Sequence, residues 1–288
     1  MVLQWVHDNI GFFGGDNNRV TIFGCSAGAT NAIQQGMFTR NYGLFQRIIS
    51  QSASAMFHIP DSNALEDAQY LGQATSPKSV VDTSLQLIKL NGDLVFGAPT
   101  VLTTKLHAAS PGAKQFLFEF TANPPFGFLP KPDYVSGANH IDEIAFVFGT
   151  EPYLFYLDPE TTWEIQLSRK IVRYWTNFVK SGYPNMPDPV TPTWPEFDQE
   201  NYYHLTLEEN TTDNSVGQYL KVRETNFWFN VVPGVNEAIA STDDDHYKCP
   251  DVSSAPYHIK STITLMAGIL VSSLVKTPSP ESCFVCIM

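Results

Sequence analysis

The segment RVTIFGCSAGAT, residues 19–30, constrains the fold more than any other part of the sequence. A short apolar run leads into the motif GCSAG, and a segment rich in small residues follows. A G-x-S-x-G motif between a strand and a helix is typical of a sharp, strained turn that presents its serine above the edge of a sheet. The pattern predicts Ser26 as a nucleophile, flanked by Gly24 and Gly28, which let the strand and the helix approach closely.

The rest of the chain predicts an α/β fold. FQRIISQSA at 45–53 and KQFLFEFTA at 114–122 are predicted strands, and WEIQLSRKIVRYWTNFVKSG at 163–182 is a predicted helix with apolar residues at helical spacing. The first two strands and the helix between them form a βαβ unit, in which the strands are parallel. We expect a mostly parallel sheet flanked by helices within residues 1–235.

A serine nucleophile requires a base and hydrogen-bond donors for the charge that develops on the substrate. Six histidines follow Ser26: His58, His107, His140, His204, His246 and His258. His140 is the best placed, because it lies in the glycine-containing loop SGANHID, after the third predicted strand and before an apolar helix start. The backbone N–H of Ala27, at a helix N-terminus, is the predicted donor to an oxyanion.

Charge and cysteine content narrow the function classes. A net charge of −12 and a pI near 4.9 argue against nucleic acids and anionic membranes as partners, since both would be repelled. Four cysteines are too few and too scattered for a disulfide scaffold. Cys283 and Cys286 form a C-x-x-C motif without a second pair or a nearby histidine, so we predict no metal site and a disordered tail.

Residues 236–288 are predicted to be a linker and a short apolar tail. STDDDHYKCPDVSSAP at 241–256 is acidic and rich in turn residues, and ITLMAGILVSSLV follows at 263–275. This run is shorter than the about 20 residues that span a bilayer, so we expect no clear membrane span. The alternatives are an amphipathic helix, part of an anchor signal and a packed C-terminal segment, of which we favour the last. The first residues lack the basic and apolar regions of a signal peptide, and a chain made as written is expected to be cytosolic.

Five blocks resemble the type B carboxylesterase and cholinesterase family, in the family's order. They are LQWVHDNIGFFGGDNNRVTIFGCSAGA, LFQRIISQSAS, GDLVFGAPT, SGANHIDEIAFVFG, and SRKIVRYWTNFVKSGYPN with TWPEF. The resemblance covers residues 1–235 and is closer to general carboxylesterases than to cholinesterases. It implies a partial α/β-hydrolase fold in which several of the family's strands are missing.

The resemblance also implies a function. The chain would be a serine carboxylic ester hydrolase that acts on small-molecule esters, with Ser26 as nucleophile and His140 as general base in an acyl-enzyme mechanism without metal or cofactor. Family membership implies a secretory or endoplasmic reticulum location. Asn210, in the sequence NTT, is then an expected glycosylation site.

The sequence departs from the family in three ways. The family's N-terminal half, with its glycine-rich oxyanion loop, is absent, and Cys25 stands where glutamate is common. A middle block that carries a strand and the acid of the triad is also absent, with the join near residues 73–81. The acids between the serine and the histidine do not match the expected motif, so the triad acid stays unassigned; they are Asp61, Glu66, Asp67, Asp82, Asp93, Glu119 and Asp133.

These departures suggest an impaired or truncated form of the enzyme. A sheet that lacks strands leaves an apolar edge, which invites a protein partner. The alternative hypothesis is a non-catalytic, cholinesterase-like interaction module or a fragment. Retention of both Ser26 and His140 favours the enzyme, whereas loss of the acid and of the oxyanion loop favours the alternative.

Overall fold

A computed structural model describes residues 1–56, 80–149, 162–241 and 282–287. In chain order, the helices and strands are α1 (Val2–Asn9), β1 (Thr21–Cys25), α2 (Ala27–Met37), β2 (Arg47–Gln51), α3 (Val80–Gly92), α4 (Ala98–Ala108), β3 (Lys114–Phe120), α5 (Glu143–Phe148), α6 (Trp163–Ser181), β4 (His204–Leu207), β5 (Val216–Gly217), α7 (Val222–Asn226), α8 (Val232–Ser241) and β6 (Ser282–Ile287). Short π-helical turns at Asp93–Gly97 and Phe227–Val231 join α3 to α4 and α7 to α8.

The described strands form one six-stranded sheet in the order β1-β2-β6-β3-β4-β5. Every neighbouring pair is parallel except β4 and β5, which are antiparallel. Helix α2 connects β1 to β2 and completes the predicted βαβ unit. The α/β class and the mostly parallel sheet predicted from the sequence are confirmed.

Strand β6 lies in the middle of the sheet and pairs in parallel with β2 on one side and β3 on the other. The disordered tail predicted at Cys283 and Cys286 is wrong, because both residues belong to this strand. The segment SCFVCI contains phenylalanine, valine and isoleucine without glycine or proline, a composition that favours a buried strand. The predicted apolar run at 263–275 lies outside the described residues.

Two apolar clusters lie on opposite sides of β3. Phe116, Phe118 and Phe120 belong to one cluster, and Leu117 belongs to the other, because successive side chains of a strand point to opposite faces. All four side chains are at least 98% buried. The sheet is therefore covered by a core on both faces, as a parallel sheet requires.

Helix α6 covers one face of the sheet. It ends at Gly182, which has φ 81°, so the helix predicted over 163–182 is confirmed to within its cap. Ile171, Trp175 and Phe178 lie on its buried side, in the same cluster as the phenylalanines of β3. Trp194 is fully buried in this cluster, and its indole Nε1–H donates to the Leu117 carbonyl at 3.0 Å.

The boundary predicted between residues 235 and 236 falls inside α8, which runs from Val232 to Ser241. The helix shows no break in the described backbone at that point. The division into a domain of residues 1–235 and a tail of residues 236–288 stays a prediction.

The end of β1 crosses the start of α2 with direct backbone contact. A Cβ atom on Gly24 would lie 2.4 Å from the carbonyl carbon and oxygen of Gly28, closer than any Cβ can approach. A Cβ on Gly28 would meet nothing within 4 Å. The close approach therefore requires glycine at position 24 and leaves space at position 28.

We expect Gly24→Ala to lower the free energy of unfolding by about 1–3 kcal/mol, because the methyl group forces the strand and the helix apart. Gly28→Ala is the matched control. It adds the same methyl group within the first turn of α2 and is expected to leave stability unchanged or raise it by up to about 1 kcal/mol. Urea unfolding midpoints at constant m-value measure both effects, and equal midpoints for the two variants would contradict the steric argument.

Candidate active site

Ser26 occupies a strained turn between β1 and α2. Its backbone has φ 55° and ψ −127°, a conformation that costs a non-glycine residue on the order of 1–3 kcal/mol. The Ser26 N–H donates to the Gln51 carbonyl at the end of β2 at 2.9 Å, and the Ser26 carbonyl accepts from Ala29 in the first turn of α2 at 2.9 Å. Both neighbours hold the turn in place, so the position of the serine depends on β2 as well as on its own strand.

His140 lies beside this serine. Its Nε2 atom is 3.0 Å from the Ser26 Oγ atom, although 114 residues separate the two in sequence. The imidazole is half-buried, and the loss of water around it lowers the pKa of His140 below its usual 6.5. The ring is therefore neutral at pH 7 and has the protonation state of a base.

The second ring nitrogen of His140 has no hydrogen-bond partner among the described residues. This atom, Nδ1, is buried. The ring of Phe96, from the π-helical turn between α3 and α4, lies against the imidazole with ring centroids 4.8 Å apart. Among the described residues, packing against Phe96 holds the imidazole on this side. In a complete triad, a hydrogen bond from Nδ1–H to an acid would select the tautomer.

A short hydrogen-bonded loop fixes His140 between β3 and α5. The Asn139 side chain accepts the His140 N–H at 2.9 Å, and the Asp142 carboxylate accepts the Asn139 N–H at 2.7 Å. Ile141, between them, has φ 70°, which is strained for a β-branched residue. Ser26 therefore has a positive φ itself, and His140 directly precedes a residue that has one.

Glu143 connects the histidine loop to the ends of two strands. Its Oε1 atom accepts hydrogen bonds from Ser52 Oγ at 2.7 Å, Gln51 Nε2 at 3.3 Å and Cys25 Sγ at 3.7 Å. Only 1% of Glu143 is exposed, and burial raises the pKa of its carboxyl group. The sequence analysis missed Glu143 because it considered only acids that precede the histidine. The available signal was the pair of acids in HIDE, residues 140–143, directly after the histidine.

None of the described carboxylates bonds to His140 Nδ1. Asp61, Glu66 and Asp67 lie outside the described residues. Asp93 forms an ion pair with Lys221 at 2.8 Å, and Asp133 is exposed. The structure thus brings Ser26 and His140 together and leaves the triad acid unassigned.

Cys25 precedes the serine but is poorly suited to act as a nucleophile. Burial, together with the adjacent Glu143 carboxyl group, raises the pKa of the Cys25 thiol to about 12. The reactive thiolate is therefore scarce at neutral pH. The Ser26 hydroxyl, by contrast, lies within hydrogen-bond distance of the His140 imidazole.

The structure also places two other predicted residues, whose roles stay predictions. Ala27 is the first residue of α2, where a backbone N–H has no partner within its own helix. Asn210 is exposed in a turn after β4, and Thr212, which completes the N-x-T sequence, is exposed as well.

In the described segments, no cluster of three or more His, Cys, Asp or Glu side chains is arranged to hold a metal ion. Within the same segments, no helix is long and apolar enough to cross a bilayer.

We expect Glu143→Ala to lower the free energy of unfolding by about 3 kcal/mol, because it removes a buried acceptor that the Gln51 amide and the Ser52 hydroxyl both use. Glu143→Gln keeps a carbonyl oxygen for these donors and is expected to cost less than half as much. Chemical denaturation of both variants measures the difference. Equal losses would contradict this argument, because Gln keeps both the side-chain volume and the carbonyl acceptor that Ala removes.

Comparison with known proteins agrees with this geometry. The sequence profile of the carboxylesterase family matches residues 1–81 and 60–228. Carboxylesterase 5A of Mus musculus is 36% identical over 183 residues, which are 62% of this chain and 30% of the relative. Carboxylesterase 1E of Mus musculus is 40% identical over 143 residues, 50% of this chain and 24% of the relative.

Liver carboxylesterase of Sus scrofa is 38% identical over 160 residues, which are 56% of this chain and 26% of the relative. The chain thus spans less than a third of the length of each of these three proteins. The matched residues include β1 to β5 with the Ser26 turn and the His140 loop, and they form a partial α/β-hydrolase fold. The chain belongs to the type B carboxylesterase family and covers part of the family's length.

Proposed function

We propose that the chain is a serine carboxylic ester hydrolase in which Ser26 is the nucleophile and His140 the general base. The observation that carries this proposal is the 3.0 Å distance between Ser26 Oγ and His140 Nε2, at a strained strand-to-helix turn. Contact between the nucleophile and the base is the central requirement of this chemistry.

The proposed reaction uses these two side chains in sequence. His140 Nε2 accepts the proton of Ser26 as Oγ attacks the ester carbonyl, and then donates that proton to the departing alcohol. Water cleaves the resulting acyl-enzyme with His140 again as the base. The Ala27 N–H donates to the oxyanion that forms in both steps.

Turnover is expected to be slow. Misorientation of the histidine in a serine triad without its acid costs on the order of 10⁴ in turnover. Formation of the acyl-enzyme is therefore a more sensitive test of the proposal than steady-state hydrolysis.

The lack of a hydrogen-bond partner for His140 Nδ1 among the described residues favours a second candidate function. A cholinesterase-like interaction module needs the fold but no acid, and β1, which forms one edge of the described sheet, offers it a surface for a protein partner. Phe23 of β1 is 48% exposed there. Under this alternative the serine and the histidine have no chemical role.

The substrate and the compartment belong to the same proposal. A small-molecule ester suits the half-buried serine, and the exposed Asn210 suits glycosylation in the secretory pathway. The truncated and impaired character inferred from the sequence is likewise part of the proposal. The impaired character is supported by the lack of a described hydrogen-bond partner for His140 Nδ1.

Incubation with a fluorophosphonate is expected to add one phosphonyl group to the chain, because Ser26 Oγ displaces fluoride as His140 takes its proton. Intact mass measures the adduct. Ser26→Ala should abolish it, His140→Gln should slow it at least about 100-fold, and Ser181→Ala, on the far end of α6, should not alter it. A folded chain that stays unmodified would favour the interaction module.

The labelling rate should depend on pH in the direction set by the buried imidazole. Since burial lowers the pKa of His140 below 6.5, the neutral base predominates at pH 6.5 and above. The rate is expected to be flat from that pH upward and to fall about tenfold per pH unit below the lowered pKa. A midpoint above pH 7 in the measured rates would contradict the role of His140.

A further inference from the structure

Strand β6 divides the described sheet into two halves. The half with β1 and β2 carries Ser26, and the half with β3, β4 and β5 leads into His140. β2 and β3 form no direct ladder with each other, because β6 is hydrogen-bonded to both. The two reacting side chains therefore approach each other across a strand that contributes neither of them.

The spacing of the two halves bears directly on the site. Neighbouring strands lie about 4.8 Å apart, so β2 and β3 are held about two spacings apart. Direct pairing of β2 with β3 would move the halves by about one spacing, more than the 3.0 Å between Ser26 and His140. Since Ser26 N–H is bonded to Gln51 at the end of β2, the nucleophile would follow that movement.

Side chains from other elements also connect the halves. Arg47 of β2 donates to the Val179 carbonyl of α6 at 3.2 Å, and Trp175 of α6 donates to Gln51 at 3.2 Å. Glu143 adds its bonds to Gln51 and Ser52. These contacts support the two-strand spacing, but they leave the facing backbone groups of β2 and β3 to be satisfied by β6.

The space between β2 and β3 selects an apolar strand. Both faces of the sheet exclude solvent at this position. The side chains that line it are each at least 98% buried: Ile48 and Ile49 of β2, and Phe116 and Leu117 of β3. The residues that fill it, SCFVCI, carry no charge and no proline. They lie outside residues 1–228, the part of the chain that matches the family, and after the undescribed residues 242–281.

We infer that the groove between β2 and β3 is an acceptor site for an extended apolar peptide, that Ser282–Ile287 is its occupant, and that its occupancy holds Ser26 and His140 at reacting distance. The part of this inference that concerns reactivity rests on the proposed function. β6 supplies backbone hydrogen bonds in parallel register to both halves, as in strand addition to a sheet edge, but at an interior position. The strand is thus a positioning element that touches no substrate.

The test compares the full chain with a chain that ends at residue 281 and with full-length Val285→Pro, which removes one ladder donor from β6. Hydrogen exchange of the β2 and β3 amides reports the acceptor site, and fluorophosphonate labelling of Ser26 reports reactivity. Both variants are expected to exchange at least tenfold faster in these strands and to label at least tenfold more slowly. The conservative Val285→Ile, which keeps the N–H, is the matched control and should leave the amide exchange and the labelling rate of the full chain unchanged.

A synthetic peptide of residues 282–287, kept reduced, should restore protection and labelling to the chain that ends at 281. The same peptide with proline at position 285 is the matched control and should restore neither. If the shortened chain is insoluble alone, the peptide is added during refolding and the soluble yield is compared with that obtained with the proline peptide.

The outcomes separate the two proposals. Unchanged protection and labelling in Val285→Pro, or equal effects of the two peptides, would overturn the acceptor site while the esterase proposal stood. Strand protection that depends on the peptide, in a full chain that never labels, would support the acceptor site and overturn the proposed chemistry together with the reactivity part of this inference.

Discussion

The buried carboxyl group of Glu143 is the contact on which the arrangement of the site depends. One of its oxygens accepts from Cys25 at the end of β1 and from Gln51 and Ser52 at the end of β2. Glu143 itself opens helix α5, three residues after His140. A single desolvated acceptor therefore joins the strand that precedes Ser26 to the loop that carries His140. Because an unsatisfied buried donor is costly, these three segments are held in one arrangement.

Backbone strain lies on both sides of the contact between Ser26 and His140. Ser26 and Ile141 both have positive φ. The apolar clusters around Phe118 and Trp194 and the ladders of the sheet supply the stability that holds these conformations. Conformations that the surrounding core imposes in this way keep the Ser26 hydroxyl and the His140 imidazole at 3.0 Å from each other.

Local pattern predicts much of this structure. The turn around Ser26, the helix that ends at Gly182 and the third strand each follow from short-range spacing and from glycine, so the sequence is enough to find them. Glu143 and β6 are different, because their roles depend on partners far away in the chain. Glu143 follows the histidine, outside the stretch in which a triad acid is expected. The role of β6 becomes visible only from its pairing with β2 and β3.

The central position of β6 also has a consequence for the order of folding. Among the described elements it is synthesised last, yet its neighbours β2 and β3 emerge from the ribosome long before it. Until then the nascent chain holds two partial sheets with open inner edges, a state that exposes backbone to chaperones and to other chains. Such long-range parallel pairing is slow to form, so completion of the sheet is expected to be a late step after synthesis.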